Sequence, residues 1–174
     1  ACKISFINLI ARVCEAPGAD VREVAQGMGL DSRIGSSFLG AGIGYGGSCL
    51  PKDVKMLLGI LEKKGIQTDL LQAIESVNES QKDVFVAHVQ GALGGIRGKN
   101  IAVLGLSFKP DTDDMREASS VSILKRLQEQ GAALIKAYDP KSMSQAKVLF
   151  PDGVQFCKSP YEAVTGADVL LILT

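Results

Sequence analysis

The order of apolar patterns along the chain predicts an α/β protein, with an all-helical part followed by an incomplete doubly wound parallel sheet. Three observations carry that expectation. Residues 1–95 repeat their apolar side chains at helical spacing, as in Ile4, Ile7, Ile10, Ala11 and Cys14. Gly91, Gly94, Gly95 and Gly98 then interrupt the chain and mark a boundary. Beyond them, short apolar runs of strand length alternate with helical segments, which implies parallel pairing through right-handed crossovers. The expected division is 1–95 for the helical part and 96–174 for the sheet.

The first helix fills residues 1–16 and is already under way at Ala1. Pro17-Gly18-Ala19-Asp20 ends it and caps a second helix, Val21–Met28. Gly29 and Asp31-Ser32-Arg33 form a turn, and the Gly- and Ser-rich stretch 34–48 is a loop. Leu50–Lys64 reads as a helix, with Pro51 in its first turn and Gly65 just past its end. Thr68-Asp69 caps a long helix to about Ala92. In the second part Ile101–Leu104, Ala133–Tyr138, Val154–Cys157 and Val169–Leu173 are the strands. Ser119–Gln130, Met143–Leu149 and a segment from Ser159-Pro160 to Thr165 are the helices between them. A helix without a beginning and a strand that stops at Thr174 read as a piece of a longer protein.

Composition narrows the function. The 174 residues are 46% hydrophobic, enough for a core at this length. Nineteen Lys and Arg balance 19 Asp and Glu, spread evenly, so no face is basic enough to track nucleic acid. No apolar run is long enough to span a membrane, and no signal peptide opens the chain. The cysteines, Cys2, Cys14, Cys49 and Cys157, form no C-x-x-C pair and lie far from the single His88, which disfavours structural zinc and a disulfide scaffold. A reducing, cytoplasmic setting is expected. Cys2 and Cys14, on a face with isoleucines, and Cys157, in a strand, read as core positions.

Cys49 is different. It follows Gly40-Ala-Gly-Ile-Gly-Tyr-Gly-Gly-Ser48, a stretch dense enough in glycine to bring backbone N–H groups close to an anionic or polyhydroxyl ligand. Gly42, Gly44 and Gly47 satisfy G-x-G-x-x-G, but no strand precedes them, so a dinucleotide fingerprint is disfavoured. Either Ser48 or Cys49 caps the next helix, whose N-terminus favours negative charge, and Lys52 adds a cation. Asp53, one turn on, lies on the same side and suits holding a water or accepting a proton.

A second constellation, Gly105-Leu-Ser-Phe-Lys-Pro-Asp-Thr-Asp-Asp-Met-Arg-Glu117, leaves the C-terminal end of the first strand, where open α/β sheets bind ligands. Phe108 suits stacking on a base, and Lys109 and Arg116 suit phosphates or a carboxamide. Its aspartates do not make a calcium loop, because Met115 occupies a ligand position. Asp139, after the second strand, reads as a turn residue beside Pro140 rather than a ribose-binding acid.

Together, Asp31-Ser-Arg-Ile-Gly35, Gly44-Tyr-Gly-Gly-Ser-Cys-Leu-Pro-Lys-Asp53 and the 105–117 segment resemble the UDP-glucose/GDP-mannose dehydrogenase family, over the whole chain and with spacing preserved. The resemblance implies an N-terminal Rossmann domain for NAD, absent here, then a helical dimer core and a Rossmann-like UDP-binding domain, truncated here. The family's catalytic lysine and asparagine would lie upstream, and a further arginine beyond Thr174.

By that resemblance Cys49 is the nucleophile that captures the aldehyde formed at the sugar C6, and Asp53 handles protons and water. Phe38, Leu39, Gly40, Ala41, Gly42 and Gly46 match the loop that wraps the sugar nucleotide. Phe108 and Lys109 match substrate contacts, and Arg33 a substrate contact reaching into the neighbouring subunit. Lys52 and Arg116 match contacts to the NAD cofactor, and no residue is expected to hold a metal. The implied substrate is a UDP-sugar, UDP-glucose first, oxidised to the carboxylate at the expense of two NAD. The implied assembly is a homodimer through the helices starting at Ala1 and Thr68. The residues 1–174 alone are expected to be inactive. Alternatives are GDP-mannose as substrate, or a non-catalytic dimerisation and nucleotide-binding module.

Overall fold

The computed structural model describes all 174 residues. Its elements are α1 (Cys2–Glu15), α2 (Val21–Gly29), α3 (Leu50–Lys63), α4 (Asp69–Leu93), β1 (Asn100–Leu104), α5 (Ser119–Glu129), β2 (Leu134–Tyr138), α6 (Met143–Leu149), β3 (Gln155–Phe156), α7 (Pro160–Val164) and β4 (Val169–Ile172). Two compact units form: residues 1–45 with 49–81, and residues 46–48 with 82–174.

The first unit is helical. Asp20 caps α2 by accepting the Arg22 N–H at 2.8 Å. Pro51 stands in the first turn of α3, where its missing N–H costs nothing. The Ser5 hydroxyl of α1 donates to the Ile74 carbonyl of α4 at 2.8 Å. Arg12 reaches the same helix, donating to Gln81 Oε1 at 2.9 Å and to the Val77 carbonyl at 3.2 Å. The buried residues of α1 are Ser5, Ile7, Asn8 and Cys14. Cys2, expected in the core, is exposed. It is the first residue of α1 and, at about 100° per residue, lies about 120° round the helix from Cys14.

The second unit carries a four-stranded, all-parallel sheet in the order β3-β2-β1-β4. In register, Ile101 faces Ile135 on one side and Val169 on the other. Central β1 is therefore buried at Ile101, Ala102 and Val103, as a strand covered on both faces must be. Ile123, Leu124 and Leu127 of α5 are fully enclosed. Ser159 caps α7 by accepting the Glu162 N–H, with Pro160 in the first turn. The strands fall where expected, β1 gaining Asn100 and the other three losing end residues. The run 154–157 shortens most, to Gln155–Phe156, because only Lys136 and Ala137 of β2 pair with it. Cys14 and Cys157 are buried.

Candidate functional site

Cys49 is the N-cap of α3 and is exposed. Its carbonyl accepts the Asp53 N–H at 2.9 Å, which closes the first turn and sets Asp53 one turn above it. Lys52 Nζ donates to Asp53 Oδ1 at 2.5 Å, and that hydrogen bond raises the lysine pKa. Thiol, ammonium and carboxylate are thus gathered on the first turn of one helix, at its electropositive end.

The loop leading to Cys49 is pinned at defined points. Gly42 N–H donates to Asn8 Oδ1 at 2.8 Å. Asn78 of α4 clasps Tyr45 from both sides, accepting its N–H at 2.7 Å and donating to its carbonyl at 3.1 Å. A Cβ on Gly44 would lie 2.8 Å from Asn78 Oδ1, so the clasp excludes any larger residue there. The buried Tyr45 hydroxyl donates to Glu75, and burial first, then that carboxylate, push the phenol pKa upward. Just before these anchors Gly40 and Ala41 are exposed. Phe38 is 67% exposed with a left-handed φ of 63°, whereas the Leu39 side chain turns inward, 5% exposed.

Residues 46–48 belong to the second unit. Gly47 N–H donates to the Arg116 carbonyl at 2.9 Å. A Cβ on Gly47 would meet the Phe108 ring at 2.7 Å, and one on Gly46 the Glu117 carbonyl at 2.3 Å. Gly46 and Gly47 are therefore glycines because backbone and ring approach them too closely for a side chain. Lys109 Nζ stands 5.4 Å from the Phe108 ring centroid. Arg116 pairs with Asp114 at 2.8 Å and holds that carboxyl below its usual range through the side-chain hydrogen bond. Of the expected site residues, Gly46, Phe108, Lys109 and Arg116 thus share this unit, joined through Gly47. Cys49 follows one residue after Ser48.

Arg33 is exposed in the first unit, forked onto Asp31 at 2.5 Å, which lowers the Asp31 pKa. No group of three or more His, Cys, Asp or Glu is placed to hold a metal ion. No helix is long and apolar enough to cross a membrane.

Asn8 and Asn78 escaped the sequence reading, although an asparagine buried within a helix demands a hydrogen-bond partner. Asp139 was expected as a turn residue, and its Oδ1 does hold that turn by accepting the Lys141 and Ser142 N–H groups. The reading missed that it is buried, 3% exposed, and that its other oxygen accepts the Leu106 N–H after β1.

Residues 1–80 match the central domain of the UDP-glucose/GDP-mannose dehydrogenase family, and residues 102–174 match that family's UDP binding domain. The chain is 51% identical, over its full 174 residues, to the UDP-glucose 6-dehydrogenase YwqF of Bacillus subtilis, and spans 39% of that protein. A UDP-glucose 6-dehydrogenase of Rhizobium meliloti is 47% identical over 175 aligned residues, all of this chain and 40% of that protein. Among solved structures, a UDP-glucose dehydrogenase from the archaeon Pyrobaculum islandicum superposes with a TM-score of 0.95 at 36% identity, covering 99% of this chain and 40% of that one. The chain therefore spans about two fifths of the length of the relatives it matches. With both family domains matched in order along one chain, and an α/β fold superposing on a solved relative, the protein belongs to the UDP-glucose/GDP-mannose dehydrogenase family.

Proposed function

We propose that this chain is the central and UDP-binding part of an NAD-dependent dehydrogenase that oxidises the C6 alcohol of UDP-glucose to the carboxylate. One observation carries the reading. The glycine segment 46–48 is built against Phe108 and Arg116, and the residue after it is an exposed cysteine opening a helix beside Lys52 and Asp53. The names of the relatives, UDP-glucose 6-dehydrogenases at 51% and 47% identity, favour UDP-glucose over GDP-mannose.

NAD is the oxidant that the family implies. The exposed cations Lys52 and Arg116 suit contact with it, and the rest of its site is assigned to a further part of the enzyme. When bound, it accepts a hydride from the sugar C6 at each of two oxidations.

Within this chain, the Cys49 sulfur adds to the C6 aldehyde left by the first oxidation, forming a thiohemiacetal. The second oxidation removes the remaining C6 hydrogen as hydride while the hydroxyl proton leaves to solvent, and a thioester remains. Water then cleaves the C–S bond, giving the carboxylate and returning the thiol. Asp53 takes the proton from that water. Phe38–Gly42 and Gly46 wrap the sugar nucleotide, Phe108 and Lys109 hold its base and phosphates, and Arg33 serves the site of a neighbouring subunit.

Without the NAD-binding part, residues 1–174 bind the UDP-sugar and do not turn it over, and the division 1–95 and 96–174 separates the dimerisation and UDP-binding roles. The assembly is a homodimer through α1 and α4, whose Phe6, Leu9, Val13 and Leu70 present apolar surface. Its place is the reducing cytoplasm, which suits four cysteines without disulfides. In the complete enzyme, Cys49→Ser is expected to stop UDP-glucuronate formation while the first oxidation persists, read by product chromatography. Undiminished glucuronate output removes Cys49 from the mechanism.

A further inference from the structure

We propose that Asp139 is a positioning residue, a carboxylate clasp that fixes the loop presenting Phe108 and Lys109 to the sugar nucleotide. The inference rests on the function proposed above for those two side chains. It starts from a buried charge with no cationic partner in its hydrogen-bond set. Asp139 Oδ2 accepts the Leu106 N–H at 2.7 Å and the Ser107 N–H at 3.3 Å. Its Oδ1 accepts the N–H groups of Lys141 at 2.7 Å and Ser142 at 2.8 Å. One side chain thereby ties the turn after β2 to the turn after β1.

The other side of the same two residues is held as tightly. The Ser120 hydroxyl donates to the Leu106 carbonyl, and the Thr174 hydroxyl donates to the Ser107 carbonyl at 2.6 Å. The Ser107 hydroxyl continues to the Lys109 carbonyl at 3.0 Å, and Phe108 N–H donates to the Asp114 carbonyl at 3.1 Å. Every backbone N–H and C=O of Leu106 and Ser107 is therefore engaged just before Phe108 and Lys109 emerge.

Burying a carboxylate is expensive, and apolar packing would serve the fold as well. A charge placed there to immobilise two outward-leading residues is the arrangement expected where the geometry of the loop is used for binding. The carboxylate is chosen because it accepts only. An amide of the same size would turn an NH2 group towards two N–H donors.

The test compares variants of the complete enzyme. Asp139→Asn is expected to raise the KM for UDP-glucose about tenfold, with kcat within about threefold and the KM for NAD unchanged. Amide exchange at Leu106 and Ser107 is expected to rise about tenfold or more, while Ala102 and Val103 of β1 keep their protection. Ser120→Ala, which removes only the hydroxyl on the Leu106 carbonyl, gives a smaller KM rise, about threefold. A folded Asp139→Asn enzyme with the unmodified KM, or with kcat alone reduced, overturns the clasp. Where that variant does not fold, a Ser120→Ala enzyme with the unmodified KM overturns it. An unmodified enzyme that binds no UDP-glucose overturns the functional reading together with this inference, a result distinct from the others.

Discussion

Asp139 shows how one residue governs both stability and the shape of a loop. Burial alone would raise its pKa, but the N–H groups of Leu106, Lys141, Ser142 and Ser107 outweigh burial and hold it below the usual carboxylate range. The sign follows from linkage. A depressed folded pKa gives stability that is present above the unfolded value, about 3.9, and is lost as pH falls through the folded value. Asp139→Asn is therefore expected to cost about 2–3 kcal/mol at pH 7, and the gap to the unmodified chain should narrow at an acid pH below the unfolded value. Urea midpoints at the two pH values check this, and an equal gap at both contradicts it. The sequence announced Cys49 because glycine, proline, lysine and aspartate crowd round it within a few residues. It did not announce Asp139, whose partners are backbone N–H groups that leave no mark in side-chain spelling.

Elements were legible to the extent that their signals are local. Periodicity and capping residues placed α1 to α4, and apolar runs placed β1, β2 and β4 within a residue or two. What failed was the facing of α1, because its deepest positions include polar Ser5 and Asn8, held there by partners on α4 and in the glycine loop. The loop itself read as glycine-rich without showing which glycines are obligatory, since that depends on distant neighbours. Gly47 and Gly18 make the contrast testable. Both have left-handed φ, 84° and 74°, but Gly47 faces the Phe108 ring and Gly18 faces open space. Gly18→Ala should cost about 1 kcal/mol from backbone strain alone, and Gly47→Ala about 2 kcal/mol or more because the ring must also move. Equal losses in chemical denaturation would contradict the close-approach explanation.

At the scale of the whole molecule, the sheet order and parallel sense follow from alternating strands and helices, and relatives confirm the family. The apolar side chains that α1 and α4 leave exposed, Phe6 at 46% and Leu70 at 73%, belong to the proposed dimer surface. Leu70→Glu is expected to shift the enzyme from dimer to monomer in analytical ultracentrifugation with its helical content intact; a dimer of undiminished stability would move the interface elsewhere. The central claim concerns the sulfur opening α3, and the most direct measurement is the mass of the Cys49 peptide from enzyme quenched in acid during turnover of UDP-glucose. The account predicts a sugar-nucleotide adduct on Cys49, lost on longer incubation and absent from Cys49→Ser. An enzyme that forms the carboxylate with the adduct on another residue, or with none on any, contradicts it.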